Sequence, residues 1–95
     1  MVKIIKMQEK IEEKKKIILK SLAKQARKLR GEKSQFILSS EYDISVSIIS
    51  TVERALKDPQ LTTLFKLAEA FNLKPHEFVK LIEDGLPENF SLIDN

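Results

Sequence analysis

The 95-residue chain has no cysteine and no tryptophan, and only two glycines, three prolines, one tyrosine and one histidine. Without cysteine there is neither a disulfide nor a thiolate metal site. His76 has no second ligand group beside it, so no metal centre is expected and His76 reads as a surface residue. The longest apolar runs span a few residues, far short of the roughly 20 that cross a bilayer. No membrane association follows. The start is Lys-rich, but Glu9, Glu12 and Glu13 stand where a signal peptide would carry its apolar core. A cytoplasmic protein is therefore the expectation. There is no Gly-rich phosphate loop and no carboxylate pair with an obvious cleft. Catalysis finds no support and no cofactor is implied. Scarce Gly and Pro, with Lys, Leu, Glu, Ala and Ile dominant, point to one all-α domain with few turns.

What the chain does have is charge, unevenly placed. The net charge is +3. Residues 1–33 hold twelve basic and four acidic side chains, a balance of +8. Residues 34–95 hold five basic and ten acidic, a balance of −5. Affinity for a phosphate backbone scales with the phosphates neutralised, so the front third is the part able to supply it.

The organising stretch is Ser34 to Lys57, SQFILSSEYDISVSIISTVERALK. Gln35 to Glu41 reads as a short helix, with Ser34 as its N-cap. Tyr42-Asp43-Ile44 reads as the turn, with Asp43 at positive φ, which Asn and Asp tolerate better than most residues. Ser45 caps a second helix, Val46 to about Ala55. Ile49 and Val52 face inward beside Leu38 and the small Ser39. Val46, Ser47, Ser50, Arg54 and Lys57 face outward. A short helix holding a second one outward is the geometry that lays a side-chain row in a DNA major groove.

With these residues in order, the span from about Leu22 to Ile82, some two-thirds of the chain, resembles the lambda-repressor-like (XRE family) helix-turn-helix domain. The matching positions are Ser34-Gln35, Leu38-Ser39, Ile44-Ser45, Ile49-Ser50, Val52-Glu53, Asp58-Pro59, Leu64, Leu67-Ala68, Phe71, Leu73, Pro75 and Phe78. Four features depart from the family pattern. Asp43 and Ala55 stand where the family usually has Gly, Ser39 replaces its usual Ala, and the loop Gly31–Lys33 is about two residues short. The resemblance implies a five-helix fold that binds double-stranded DNA. It implies that Gln35 binds a backbone phosphate and braces the second motif helix. It also implies that Glu53 pairs with an Arg on the first helix: Arg30, or Lys28 given the shortened loop.

The expected base contacts are Val46, Ser47, Ser50 and Thr51. They are short, and none makes the bidentate contacts of Arg, Asn or Gln, so a large share of readout is expected from DNA shape. Gln35, Lys24, Arg27, Lys28, Lys33, Arg54 and Lys57 are the expected phosphate contacts. Ile48 reads as exposed beside them, or packed against Lys57 and the loop.

Around the motif the domain divides as 1–16, a basic helical extension; 17–84, the helix-turn-helix domain; and 85–95, an apolar tail. Residues 2–7 read as a strand or a helix start, and from Gln8 the pattern is helical to Arg30. Ile4, Ile11, Ile18, Leu22, Ala26 and Leu29 form one stripe. Gly31 ends that helix. Leu61 to Asn72 is expected to bury Leu61, Leu64, Leu67, Ala68 and Phe71. Pro75 to about Asp84 is expected to bury Phe78, Val79 and Ile82, with Gly85 ending it.

A homodimer on a two-fold operator is expected. Two seams are available. The isoleucine stripe breaks at Lys14 and Gln25 and makes a poor coiled coil. The tail residues Leu86, Phe90, Leu92 and Ile93 form the favoured seam, docking on this domain or on a second copy, while the N-terminal helix adds DNA or partner contacts. The alternative function is a protein-interaction module on the same scaffold, such as an antitoxin or accessory factor. The small recognition residues and the acidic balance after Lys33 favour that reading; the ordered motif and the basic first helix favour DNA.

Overall fold

The computed structural model describes residues 2–93, with side chains described from residue 10 onward. Five helices follow in order: α1 (Val2–Arg30), α2 (Gln35–Tyr42), α3 (Val46–Glu53), α4 (Leu61–Ala70) and α5 (Pro75–Asp84). The described residues are otherwise turns and connectors.

α1 is continuous over 29 residues. It begins at Val2, not Gln8, and the strand alternative for residues 2–7 is excluded. At about 1.5 Å per residue it is roughly 43 Å long, nearly the 48 Å long axis of the molecule. Its second half is buried through Leu22, Ala23 and Ala26, with Ile18, Leu19 and Leu29 packed against the core. Its first half leaves the core, and Ile11 is 40% exposed. The Ile4 side chain, part of the expected stripe, lies outside the described residues. Gly31 terminates the helix at φ 61°, its N–H bonded to the Arg27 carbonyl at 3.1 Å. That left-handed conformation is the one glycine takes without penalty.

The motif helices are fixed by their caps. Ser34 Oγ accepts from the Ile37 N–H at 3.1 Å, and Ser45 Oγ from the Ile48 N–H at 3.1 Å. Each satisfies an otherwise unpaired donor of a first turn. Between them Asp43 sits at φ 53°, ψ 44°. Ile44, read as a turn residue, is 3% exposed and belongs to the core. α3 ends at Glu53 rather than Ala55. The Leu56 N–H bonds to the Thr51 carbonyl and the Ala55 N–H to the Val52 carbonyl, both at 3.1 Å. This crossed pair closes the helix and forces Ala55 to φ 54°. α4 stops at Ala70 by the same device: the Leu73 N–H reaches Ala68 and the Asn72 N–H reaches Glu69, with Asn72 at φ 60°.

α1 packs on α3 and α5, α2 on α3 and α4, and α4 on α5. The core gathers Leu22, Ala26, Leu38, Ile44, Ile49, Val52, Leu67, Ala68, Ala70, Phe78 and Ile82. Phe71 meets Phe78 edge to face, with centroids 5.7 Å apart, a favoured arrangement of ring quadrupoles. Of the other residues expected in it, Leu64 and Phe71 pack against it half-buried, and two are exposed. Leu61 is 66% exposed because it opens α4 at the rim, and Val79 is 46% exposed because α5 buries only the stripe through Phe78 and Ile82.

α5 ends against α1. Ser21 Oγ donates to the Ile82 carbonyl at 2.7 Å. A Cβ on Gly85 would lie 2.5 Å from that same oxygen, so the glycine is required by close approach and not by its φ of −85°. Beyond it Leu86 and Phe90 are half-buried, while Leu92 and Ile93 are exposed.

Candidate nucleic-acid interface

α3 turns one face in and one face out. Ile49, Val52 and Glu53 are buried. Val46, Ser47 and Ile48 are exposed, and Ser50 and Thr51 half-exposed. A 3.6-residue period places Val46, Ser47, Ser50 and Thr51 on adjoining positions of the outer face. Thr51 Oγ1 donates to the Ser47 carbonyl at 2.6 Å. Its hydroxyl is thereby tied to the helix, and its methyl is the group left to present. Arg54 and Lys57 are exposed just beyond the helix end.

Glu53 is the fixed point behind this face. Its side chain is 5% exposed. Arg30 grips it with two bonds, Nε to Oε2 at 2.6 Å and NH2 to Oε1 at 2.8 Å. Gln35 Nε2 donates to Oε1 at 3.1 Å. The Arg27 guanidinium donates to the Glu53 carbonyl. Arg30 NH1 also donates to the Lys33 carbonyl at 2.8 Å, which pins the short loop. One carboxylate therefore ties α1, α2 and α3 together. Burial pushes the Glu53 carboxyl up; the bonds from Arg30 and Gln35, with the charges of Arg30 and Arg27, outweigh it and hold the group below its ordinary range. The bond to Glu53 raises the Arg30 guanidinium. Among the described residues no buried side-chain nitrogen or oxygen lacks a partner, so this ion pair is fully satisfied, as a buried charge must be.

Gln35 is half-buried at the start of α2, and its amide nitrogen donates one of its two hydrogens to Glu53. α2 starts at this residue, and a helix N-terminus suits an anion. Lys24, Arg27 and Lys28 are exposed on the last two turns of α1. Arg27 serves the Glu53 brace as well. Lys33 is engaged: it bonds Glu41 at 2.9 Å and lies 5.8 Å from the Tyr42 ring centroid. A phosphate there would compete with a carboxylate. Lys28, the alternative partner for Glu53, does not bond to it; Arg30 does.

The structure also brings together residues that the sequence reading left apart. Ser47, Ile48 and Thr51 share an open groove of about 360 Å³ with Lys57, Asp58, Pro59, Gln60 and Thr63. The connector after α3 is thus the second wall of the outer face. Ile48, 41% exposed, lines it. Only the Asp58-Pro59 pair signalled a fixed connector; nothing local showed that it folds back alongside α3.

The arrangement is a capped helix with an exposed outer face, braced from behind by a buried ion pair and edged by cations. The helix-turn-helix family model matches residues 24–78. The chain belongs to this family, the XRE or lambda-repressor-like DNA-binding regulators. No curated protein and no solved structure matches the chain. Among the described residues no helix is long and apolar enough to cross a membrane, and no cluster of His, Asp or Glu is placed to hold a metal ion.

Proposed function

We propose that the protein is a sequence-specific transcriptional regulator that binds a two-fold operator as a homodimer, with α3 in the major groove. The observation that carries this reading is the division of α3. Its inner side is locked by Glu53, Arg30 and Gln35, and its outer side presents Val46, Ser47, Ser50 and Thr51. Val46 and the Thr51 methyl suit thymine methyls, and the serines accept several bases. A preference for A·T-rich sites follows, with much of the selectivity drawn from groove shape. Gln35, Lys24, Arg27, Lys28, Lys33, Arg54 and Lys57 take phosphates. The family's DNA-binding role is not catalytic.

The test is selection of duplexes from a random library, followed by titration at several salt concentrations. An A·T-rich, two-fold consensus with steep salt dependence is expected. A G·C-rich consensus contradicts the assignment of Val46 and Thr51, and absence of binding at low salt removes the DNA reading.

A second reading has one observation behind it. Phe36 is 72% and Ile37 47% exposed on α2, an apolar pair suited to a protein partner. A module of the antitoxin or accessory type would use it and need no operator. Phe36→Ser would abolish such an interaction and leave DNA affinity unchanged.

A further inference from the structure

Two features meet at the end of the molecule away from α3. α1 runs from Arg27 and Arg30, which hold the end of α3, back to Ser21, which holds the end of α5. From there its first half continues outward with Ile11 exposed, in heptad register with the core-packed Ile18. The chain after α5 leaves from the same place, at Gly85 against Ser21. It carries Leu92 and Ile93, 39% and 73% exposed. The front of α1 and the segment after α5 thus form one composite end.

The two halves of that end differ in charge. Residues 2–20 hold seven lysines and three glutamates, a balance of +4. Residues 81–95 hold four acidic side chains and no basic ones, a balance of −4. A two-fold interface places the same patch on both subunits, so a residue in one half meets a residue in the other, and the reverse. A patch with one basic and one acidic half is self-complementary under that operation. Paired front to front, α1 would set Lys against Lys.

We infer that the homodimer forms at this end, with the basic front of α1 in one copy seated on the acidic, apolar segment 81–93 of the second copy. This rests on the dimeric reading given above and assigns its seam. The Ile11 side chain then covers Leu92 and Ile93 of the partner, and Lys15 and Lys16 face Glu83 and Glu88. The reach is sufficient. Ile11 to Arg30 is about 28 Å along the helix, so two copies meeting near Ile11 can separate their α3 ends by up to roughly 57 Å. Half-sites one turn apart need about 34 Å, which an angle between the two α1 helices supplies.

The experiment uses the full chain and sedimentation equilibrium, with circular dichroism to verify folding. Ile11→Asp and Leu92→Asp each raise the dimer dissociation constant at least tenfold. The front reversal Lys15→Glu/Lys16→Glu and the segment reversal Glu83→Lys/Glu88→Lys each give a monomer alone. Mixed together, the two reversed proteins form a heterodimer, because each basic half again finds an acidic one. Two reversed proteins that remain dimeric separately, or stay monomeric when mixed, overturn the inference. So does a wild-type protein that is monomeric at high concentration. Titration of the same variants with a duplex holding a single half-site separates this from the DNA reading: monomeric variants still bind it if that reading stands, and a dimeric wild type that binds no duplex refutes the DNA reading alone.

Discussion

Replacing Glu53 with Gln keeps the shape of the side chain and removes the charge. The buried carboxylate receives two bonds from Arg30 and one from Gln35. The amide retains one oxygen and points an NH2 at a donor. A charge-assisted bond contributes about 1.5–3 kcal/mol, and stranding one partner of a buried pair costs about 3–5 kcal/mol. Arg30 is 20% exposed and recovers part of this through water, so a loss of about 2–3 kcal/mol is expected. At this chain size each kcal/mol moves the Tm by about 4–8 °C, which predicts a fall of roughly 8–24 °C. The pH dependence gives a second handle. The folded-state pKa of Glu53 is depressed, so its contribution is complete above the ordinary carboxylate range and is lost as pH falls through the folded value. Thermal melts from neutral to acidic pH will show this loss in the wild type and lack it in Glu53→Gln. An unchanged Tm accompanied by lost DNA binding would refute the reasoning, since Glu53 would then act on DNA and not on the fold.

Other outcomes follow from particular contacts. Ala55→Gly is expected to raise the Tm, because relief of about 1–2 kcal/mol at φ 54° exceeds the roughly 0.5–1 kcal/mol entropic cost of glycine; a lower Tm would contradict this. Gly85→Ala pushes a methyl against Ser21 Oγ and should cost about 1–3 kcal/mol. In urea melts, adding Ser21→Ala should recover part of that loss; strictly additive losses would place the clash elsewhere. Lys57→Ala should weaken DNA binding across sequences and shrink the slope of log K against log salt by about 0.9. An unchanged slope would remove Lys57 from the phosphate contacts.

The turn and its two helices were legible because their signals are local. Ser34 and Ser45 each needed only a free N–H three residues on, and Asp43 only its tolerance of positive φ. The Arg30 and Glu53 positions were pointed to by resemblance, not by pattern, since 23 residues separate them. What stayed hidden depends on distant packing. The end of α3 is set by a crossed pair of bonds at Ala55, whose methyl argued for continued helix. Leu61 and Val79 fit the apolar periodicity of α4 and α5, but no described element covers them. Ser21 and Gly85 are 64 positions apart in sequence, and neither alone signals that α5 ends against α1. Nor does anything in a helical sequence reveal that the Arg27 guanidinium reaches a carbonyl at the end of α3.

The claim at the centre of this account is that the outer face of α3 reads base edges in the major groove. Thymine differs from uracil only by the C5 methyl, which lies in that groove. The direct measurement is the affinity of the wild type and of Val46→Ala for a selected site in which each thymine is replaced in turn by uracil. The account predicts that at one symmetric pair of positions the substitution weakens the wild type but hardly affects Val46→Ala. Equal losses in both proteins at every position, or no loss anywhere, would contradict it.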